Sequence, residues 1–406
     1  MNVKDYMEFI DNNKHEYKVF DYIKLLAIKN GFVPYHNVNY QPGDKIIFEF
    51  RNKLIALVEV GADLSQGANV VVSHMDSPRL DVIPGDPFVS KDDGDFMKVT
   101  DYGGIILQSW LDEPLHLIGK ISNKDKIVML DTDENNTTFV INSLLPHLNG
   151  RKEMNELKYE KLLVRTGFDT LKHFEELYGL TKENFLLADL SFVPAVQSVE
   201  LGFDKQLISG YGHDDRSCVY AELQAILNSD KSDKTKIALF VSYEETGSAQ
   251  STGSQTDFID DIFLELTKDY YLMRKCMQNS KVLSADVAAG YDSNFNNHFE
   301  ENCKAICGKG VALVPFTGRK GGNDSTIEMR HFIEQLCINN NIDYQIETTK
   351  VSEGGGGTVA KFFAMKGMDV IDAGVPVLAM HSPQEIIHKH DLEASYELYK
   401  VFFESK

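Results

Sequence analysis

The sequence predicts an α/β fold interrupted by a β-rich insertion, and three features of it carry that expectation. Two short apolar runs, ANVVVSHMD at 68–76 and KIALFV at 236–241, read as strands buried on both faces, each stopping abruptly in polar residues able to do chemistry. Stretches with apolar residues at helical spacing alternate with such runs over the first and last parts of the chain. Between about 88 and 200 the alternation gives way to short β-like runs, ILQSWL, PLHLIGKI, KIVMLD and TTFVI, separated by polar turns.

Residues 5–31 set Tyr6, Phe9, Ile10, Tyr17, Phe20, Ile23 and Leu26 between charges at helical spacing, predicting one or two amphipathic helices that stop at Gly31. Residues 45–60 predict a hairpin: KIIFEF, a turn at Arg51-Asn52, then KLIALVEV. The insertion holds the single tryptophan, Trp110, and its β-like runs are followed by a charged segment from Asn149 to Arg165. From about 200 the α/β pattern resumes, with helices predicted over 214–228, 257–278, 325–340, 358–367 and 388–405 and strands over 236–243, 281–287 and 369–380. Two domains follow: a discontinuous one of 1–87 with 201–406, and the 88–200 insertion.

A net charge of −20 and a pI near 5.0 exclude nucleic acid as a partner, since its phosphates repel such a surface. No apolar run approaches the roughly 20 residues that span a bilayer, so no membrane partner is expected. The charged N-terminal stretch and five scattered cysteines read as a cytoplasmic protein with reduced thiols. Cys303 and Cys307 are spaced unlike a zinc ribbon and have no downstream partners.

The run 236–241 leads into Glu244 and Glu245. On an extended chain the two point in opposite directions, leaving one to bind a metal and the other to act as general base on metal-activated water. Alone, such a pair is a solvated strand end; partners change its meaning. SHMDSPRLDV at 73–82, GHDDRSCVYA at 212–221, LSADVAAG at 283–290 and LAMHSPQEI at 378–386 each place a histidine or an acid where an apolar run stops. Alone, Asp214-Asp215-Arg216 reads as a helix cap with an ion pair. Together His74, Asp214, Glu245, Asp286 and His381 supply two imidazoles and three carboxylates. That is a ligand list for two borderline divalent ions about 3.5–4 Å apart, zinc first, with cobalt or manganese tolerated by a site without thiolate. Asp76, two residues past His74 on the same face of an extended strand, is placed to orient that imidazole, and Glu244 remains as the base.

The ordered set HMDSPRLD, GHDDRSC, YEETGS, SADV, GGGGTVAKF and MHSPQEI resembles the M18 family of metalloaminopeptidases, the aspartyl aminopeptidase group. DDR alone is shared with the related M42 peptidases; the insertion and the glycine run favour M18. The resemblance implies a zinc-exopeptidase-type mixed sheet flanked by helices, with the insertion serving as a dimerisation domain. It implies His74 and Asp286 on one ion, Glu245 and His381 on the other, Asp214 bridging, Glu244 as base and Asp76 orienting His74. It further implies a homo-oligomer, a tetrahedral dodecamer, in which an insertion histidine reaches a neighbour's active site; His147 in LLPHL is the candidate. After Trp110 the family usually carries an Asp-Arg pair where this chain has Glu113-Pro114.

The function so implied is removal of an N-terminal residue from peptides with a free N-terminus, with water bridging the ions deprotonated by Glu244. Gly354–Gly357, followed by Thr358 and Lys361, offers permissive backbone for close approach to substrate. An acidic side-chain preference has only Arg79, Lys320 and Lys361 as candidate cations. The alternatives are another dinuclear amide hydrolase, an acylase or deacylase, and a non-catalytic scaffold that keeps the fold.

Overall fold

The two apolar runs lie side by side. In the structure, a computed structural model describing residues 1–148, 152, 157–316, 322, 324–348, 350 and 357–406, Thr235–Val241 pairs in parallel with Ala68–His74 so that Val241 stands opposite His74. Lys281–Ser284 lies parallel on the other side of Ala68–His74, so three chain segments reach the same edge of the sheet. All seven residues of Ala68–His74 and of Thr235–Val241 are buried, which is why they read as unbroken apolar runs instead of alternating ones.

Among the described residues the sheet has nine strands, in the order Val33–Pro34, Lys45–Phe50, Leu54–Glu59, Thr235–Val241, Ala68–His74, Lys281–Ser284, Asp369–Gly374, Val311–Val314 and Tyr344–Ile346. The predicted hairpin pairs antiparallel up to Phe50 opposite Leu54, so three residues, Arg51 to Lys53, link the strands, with Arg51 and Asn52 both at positive φ. Alternate side chains feed two cores. Val71, Ala238 and Phe240 pack with the helices Val3–Asn12, Glu16–Lys29, His213–Asn228, Ile327–Asn340 and Lys389–Glu404, while Val70, Val72, Ile237 and Leu239 pack with Phe258–Thr267, Tyr270–Gln278 and Ala360–Met365.

The chain forms two compact units: Met1–Asp76 with Ser198–Met380 and Glu385–Lys406, and Ser77–Gln197 with His381–Gln384. The division falls at Asp76/Ser77 and Gln197/Ser198, not at 88 and 200. The reason is pairing: Arg79–Val82 is hydrogen-bonded between Gly94–Tyr102 and Asp189–Pro194 and so belongs to the second unit's own sheet. That sheet runs Leu163–Gly167, Gly94–Tyr102, Arg79–Val82, Asp189–Pro194, Leu115–Asn123, Lys126–Asp131, with Phe88–Lys91 added to Gly94–Tyr102. The first unit carries a second, five-stranded sheet built from Val199–Leu201, Leu207–Gly210, Glu385–His388, Pro376–Leu378 and Ala288–Ala289.

Two predicted elements are each divided. The helix expected over 257–278 breaks because Lys268 is left-handed (φ +53°) and the Asp269 side chain caps a new helix by accepting from Leu272 N at 2.7 Å. The strand expected over 369–380 splits between the two sheets after Gly374, where Pro376 brings no N–H to a continuing ladder.

Just past Tyr344–Ile346, Glu347 is drawn into the sheet by its N–H to Leu313 O at 3.0 Å. Burial, reinforced by the charge of Asp372, pushes its carboxyl from 4.5 up to about 7. Between those values the folded chain holds a proton that the unfolded chain has released, so stability falls as the pH rises through that window. Glu347→Gln is therefore expected to match the parent near pH 4.5 and to exceed it above pH 7, by on the order of 2 kcal/mol, in urea unfolding across pH. Equal pH slopes for the two proteins would refute the assignment.

Candidate metal centre

His74 closes its strand with the imidazole almost fully buried. Its Nε2 lies 3.3 Å from Asp214 Oδ1 and 3.7 Å from Asp286 Oδ1. Nδ1 faces Asp76, 3.4 Å from its Oδ1 and 3.1 Å from its carbonyl oxygen, which directs Nε2 toward the other acids. The backbone N–H of His74 donates to Asp215 Oδ2 at 3.1 Å.

Asp214 and Asp215 stand at the mouth of His213–Asn228 with non-helical backbone, and Asp214 N donates to Glu385 Oε2 at 2.9 Å. The turn into this segment depends on Gly212: its φ is +75°, and a Cβ there would sit 1.6 Å from the buried guanidinium of Arg216. Arg216 makes no ion pair with its neighbour Asp215; it donates to the carbonyls of Tyr211, Gly212 and Asn13. Asp286 follows Lys281–Ser284, and its carbonyl oxygen passes so close to Gly374 that a Cβ there would lie 1.8 Å away.

Glu244 and Glu245 are not extended, contrary to the sequence reading. Tyr243 is left-handed (φ +62°) and turns the chain into a short 3-10 segment, Glu244–Thr246, so both glutamates come off one turn. Asp76 secures that turn too: its two carboxylate oxygens accept from Glu244 N at 3.4 Å and Glu245 N at 3.3 Å. Asp76 is buried just beyond its strand and touches both the imidazole and the glutamate turn, a wider task than orienting His74 alone.

His74, Asp214, Asp215 and Asp286 offer ligand atoms all within 4.8 Å of one another. Burial, followed by the charge of Asp286, pushes Glu244 up to about 8; burial, followed by Asp214, raises Glu245; burial raises Asp286 and Asp215 as well. Burial opposes a charge on His74, but Asp215, Asp214, Asp286 and Asp76 outweigh it and raise its pKa. Among the described residues no lysine or arginine is one of the main influences on these acids, whereas His74 is. Three converging carboxylates with the His74 imidazole form a donor set that fits divalent metal.

The chain matches the family model described as aminopeptidase I zinc metalloprotease (M18) from residue 9 to residue 403. It belongs to the M18 family. This M18 zinc metalloprotease has the activity of a metal-dependent aminopeptidase. A probable M18 family aminopeptidase 1 of Borrelia garinii is 36% identical, the match covering 98% of this chain and 95% of the relative. Its counterpart in Thermotoga maritima is 34% identical over 99% of this chain and 95% of that one. The crystal structure of an M18 aminopeptidase from Thermotoga maritima superimposes with a TM-score of 0.95 at 33% identity, covering 100% of this chain and 96% of that one. The S. cerevisiae mApe1 dodecamer shares the fold at 20% identity, with a TM-score of 0.82 over 98% of this chain and 95% of that one.

His381 belongs to the second unit, left-handed at φ +67°; its carbonyl accepts from Trp110 Nε1 at 3.1 Å, and its Nδ1 faces Gly104 O at 3.1 Å, which selects the tautomer with the lone pair on Nε2. Glu113 of the departing loop accepts from Gln384 Nε2 at 3.5 Å. His147 is exposed on the short turn Pro146–Leu148. Arg79 is engaged locally, 2.8 Å from Asp81 and over the Tyr102 ring, while Lys361 lies over Phe362. Lys320 and Gly354, Gly355 and Gly356 lie outside the described residues; Gly357 is within them. All five cysteines are free thiols. No helix among the described residues is long and apolar enough to cross a membrane.

Sequence reasoning missed Asp215 and Glu385, which brace His74 and Asp214. Asp215 was hidden by its resemblance to a helix cap; Glu385 was printed in the MHSPQEI motif and carried its own signal.

Proposed function

We propose that this aminopeptidase holds two divalent ions per subunit, zinc in the first instance with cobalt or manganese as substitutes, and that Glu244 is its general base. His74 and Asp286 hold one ion, Glu245 and His381 the other, and Asp214 is shared. Ions bound there would polarise the scissile carbonyl and acidify water. The chain's own part is then a proton transfer: Glu244 takes a proton from the attacking water and gives it to the leaving amine. The carrying observation is the glutamate turn itself, which presents a second carboxylate beside Glu245 while Asp76 fixes both backbone N–H groups. Substrates are peptides with a free N-terminus; for an acidic first residue the candidate cations are Arg79, Lys320 and Lys361.

We further place the protein in the cytoplasm, in keeping with its free thiols, as a homo-oligomer of the tetrahedral dodecamer type. The second unit is its dimerisation domain and His147 its contribution to a neighbour's active site. Support comes from Lys126–Asp131, an edge strand carrying Ile127, Val128 and Met129 exposed.

The test is a panel of aminoacyl-anilides and their N-acetylated forms, assayed with zinc, cobalt or manganese restored to stripped protein. Cleavage confined to free amines supports the aminopeptidase, and the ranking gives the side-chain preference. Cleavage of the N-acetylated series instead would assign an acylase and end this reading.

A further inference from the structure

Asn13, Lys14, His15 and Glu16, the link between the first two helices, are buried to within 8% of full exclusion, an unusual place for such a polar run. Two tethers leave this link. Asn13 O accepts from Arg216 Nη1 at 2.6 Å, bracing the segment that carries Asp214. Glu16 Oε1 pairs with Lys53 Nζ at 3.1 Å, and Lys53 Nζ donates onward to the Tyr243 hydroxyl at 3.2 Å while lying 5.0 Å over that ring. The carbonyl of Lys53 accepts from Ser242 Oγ at 2.7 Å, so Lys53 grips both residues that precede the glutamate turn.

Tyr243 is a bulky residue held at φ +62°, a conformation that persists only where the surroundings impose it. A buried ion pair is a poor source of stability compared with apolar packing of the same volume, so stability alone does not explain Glu16 and Lys53. We infer that the buried Glu16–Lys53 pair is a positioning device for Glu244, gripping Tyr243 so that its left-handed backbone aims the base. This rests on the assignment of Glu244 as base. Glu16 and Lys53 touch neither substrate nor metal; they act through Tyr243.

The double variant Glu16→Gln/Lys53→Met removes both charges and leaves no orphaned ion. Its kcat is expected to fall about ten- to a hundredfold, as a misaimed catalytic group does, with KM and bound metal per chain as in the parent. In metal-free protein, amide exchange over 242–248 should quicken while the rest of the central sheet keeps its protection. Tyr243→Phe, which removes only the hydroxyl that Lys53 holds, should move in the same direction by about tenfold and serves if the double variant does not fold. Parental kcat and parental exchange in either variant would overturn the inference, as would a loss of kcat matched by loss of metal or by uniform loosening. If the parent's turnover proves independent of Glu244, the base assignment fails, whereas the exchange pattern still decides whether the pair holds the turn.

Discussion

Glu244→Gln is expected to lower kcat about a thousandfold while the protein retains its metal and its KM changes little. Glutamine keeps the size of glutamate and its place on the Glu244–Thr246 turn, where the backbone N–H still donates to Asp76. What it loses is the ability to take up a proton. Glu245, on the same turn, is proposed as a ligand, so Glu245→Gln should instead lower metal content and activity together. Metal analysis beside single-turnover kinetics separates the two. A Glu244→Gln protein that binds metal normally and turns over at the parental rate would leave the base unassigned and point to Asp76 or to water alone.

Stripping the metal should cost the protein both its activity and a large part of its stability. At a thousandfold excess over Kd, a ligand that binds only the folded state stabilises it by about 4 kcal/mol. Here the effect has an electrostatic cause: without a cation, Asp214, Asp215 and Asp286 crowd around one imidazole, and burial has already raised the pKa values of Asp215 and Asp286. Zinc added back should restore both properties in the parent and neither in His74→Ala. Urea unfolding with and without chelator, scored beside turnover, makes the comparison. Identical unfolding curves for stripped and loaded protein would show that the cluster holds no ion of consequence.

The strands that lead to His74 and to the clustered acids were legible because burial on both faces leaves no alternation, so each apolar run stops where the chain reaches polar ground. His74, Asp214 and Asp286 could be named from that alone, and the structure brings them together. The geometry of Glu244 and Glu245 was not legible. Extended backbone was the natural continuation of a strand, and nothing in the letters YEETGS announces a left-handed tyrosine whose hydroxyl is held by Lys53, almost two hundred residues away. The break at Lys268 was missed because helical periodicity runs through it; only the Asp269 cap marks it. Val311–Val314 and Tyr344–Ile346 are too short for a pattern to show. The unit boundary moved from 88 to 77 because Arg79–Val82 is claimed by partners far along the chain, and pairing over such distances leaves no local trace.

The parallel alignment of Ala68–His74 between Thr235–Val241 and Lys281–Ser284 bears on how the enzyme matures. Parallel neighbours cannot be joined by a tight turn, so the strand bearing His74 waits for both flanks until the ribosome has released residues beyond 284. A nascent chain that stops short of Asp286 offers a lone imidazole and scattered acids, not a cage. With the ligands proposed above, zinc would find its grip only on chains grown past Asp286 whose three strands have paired.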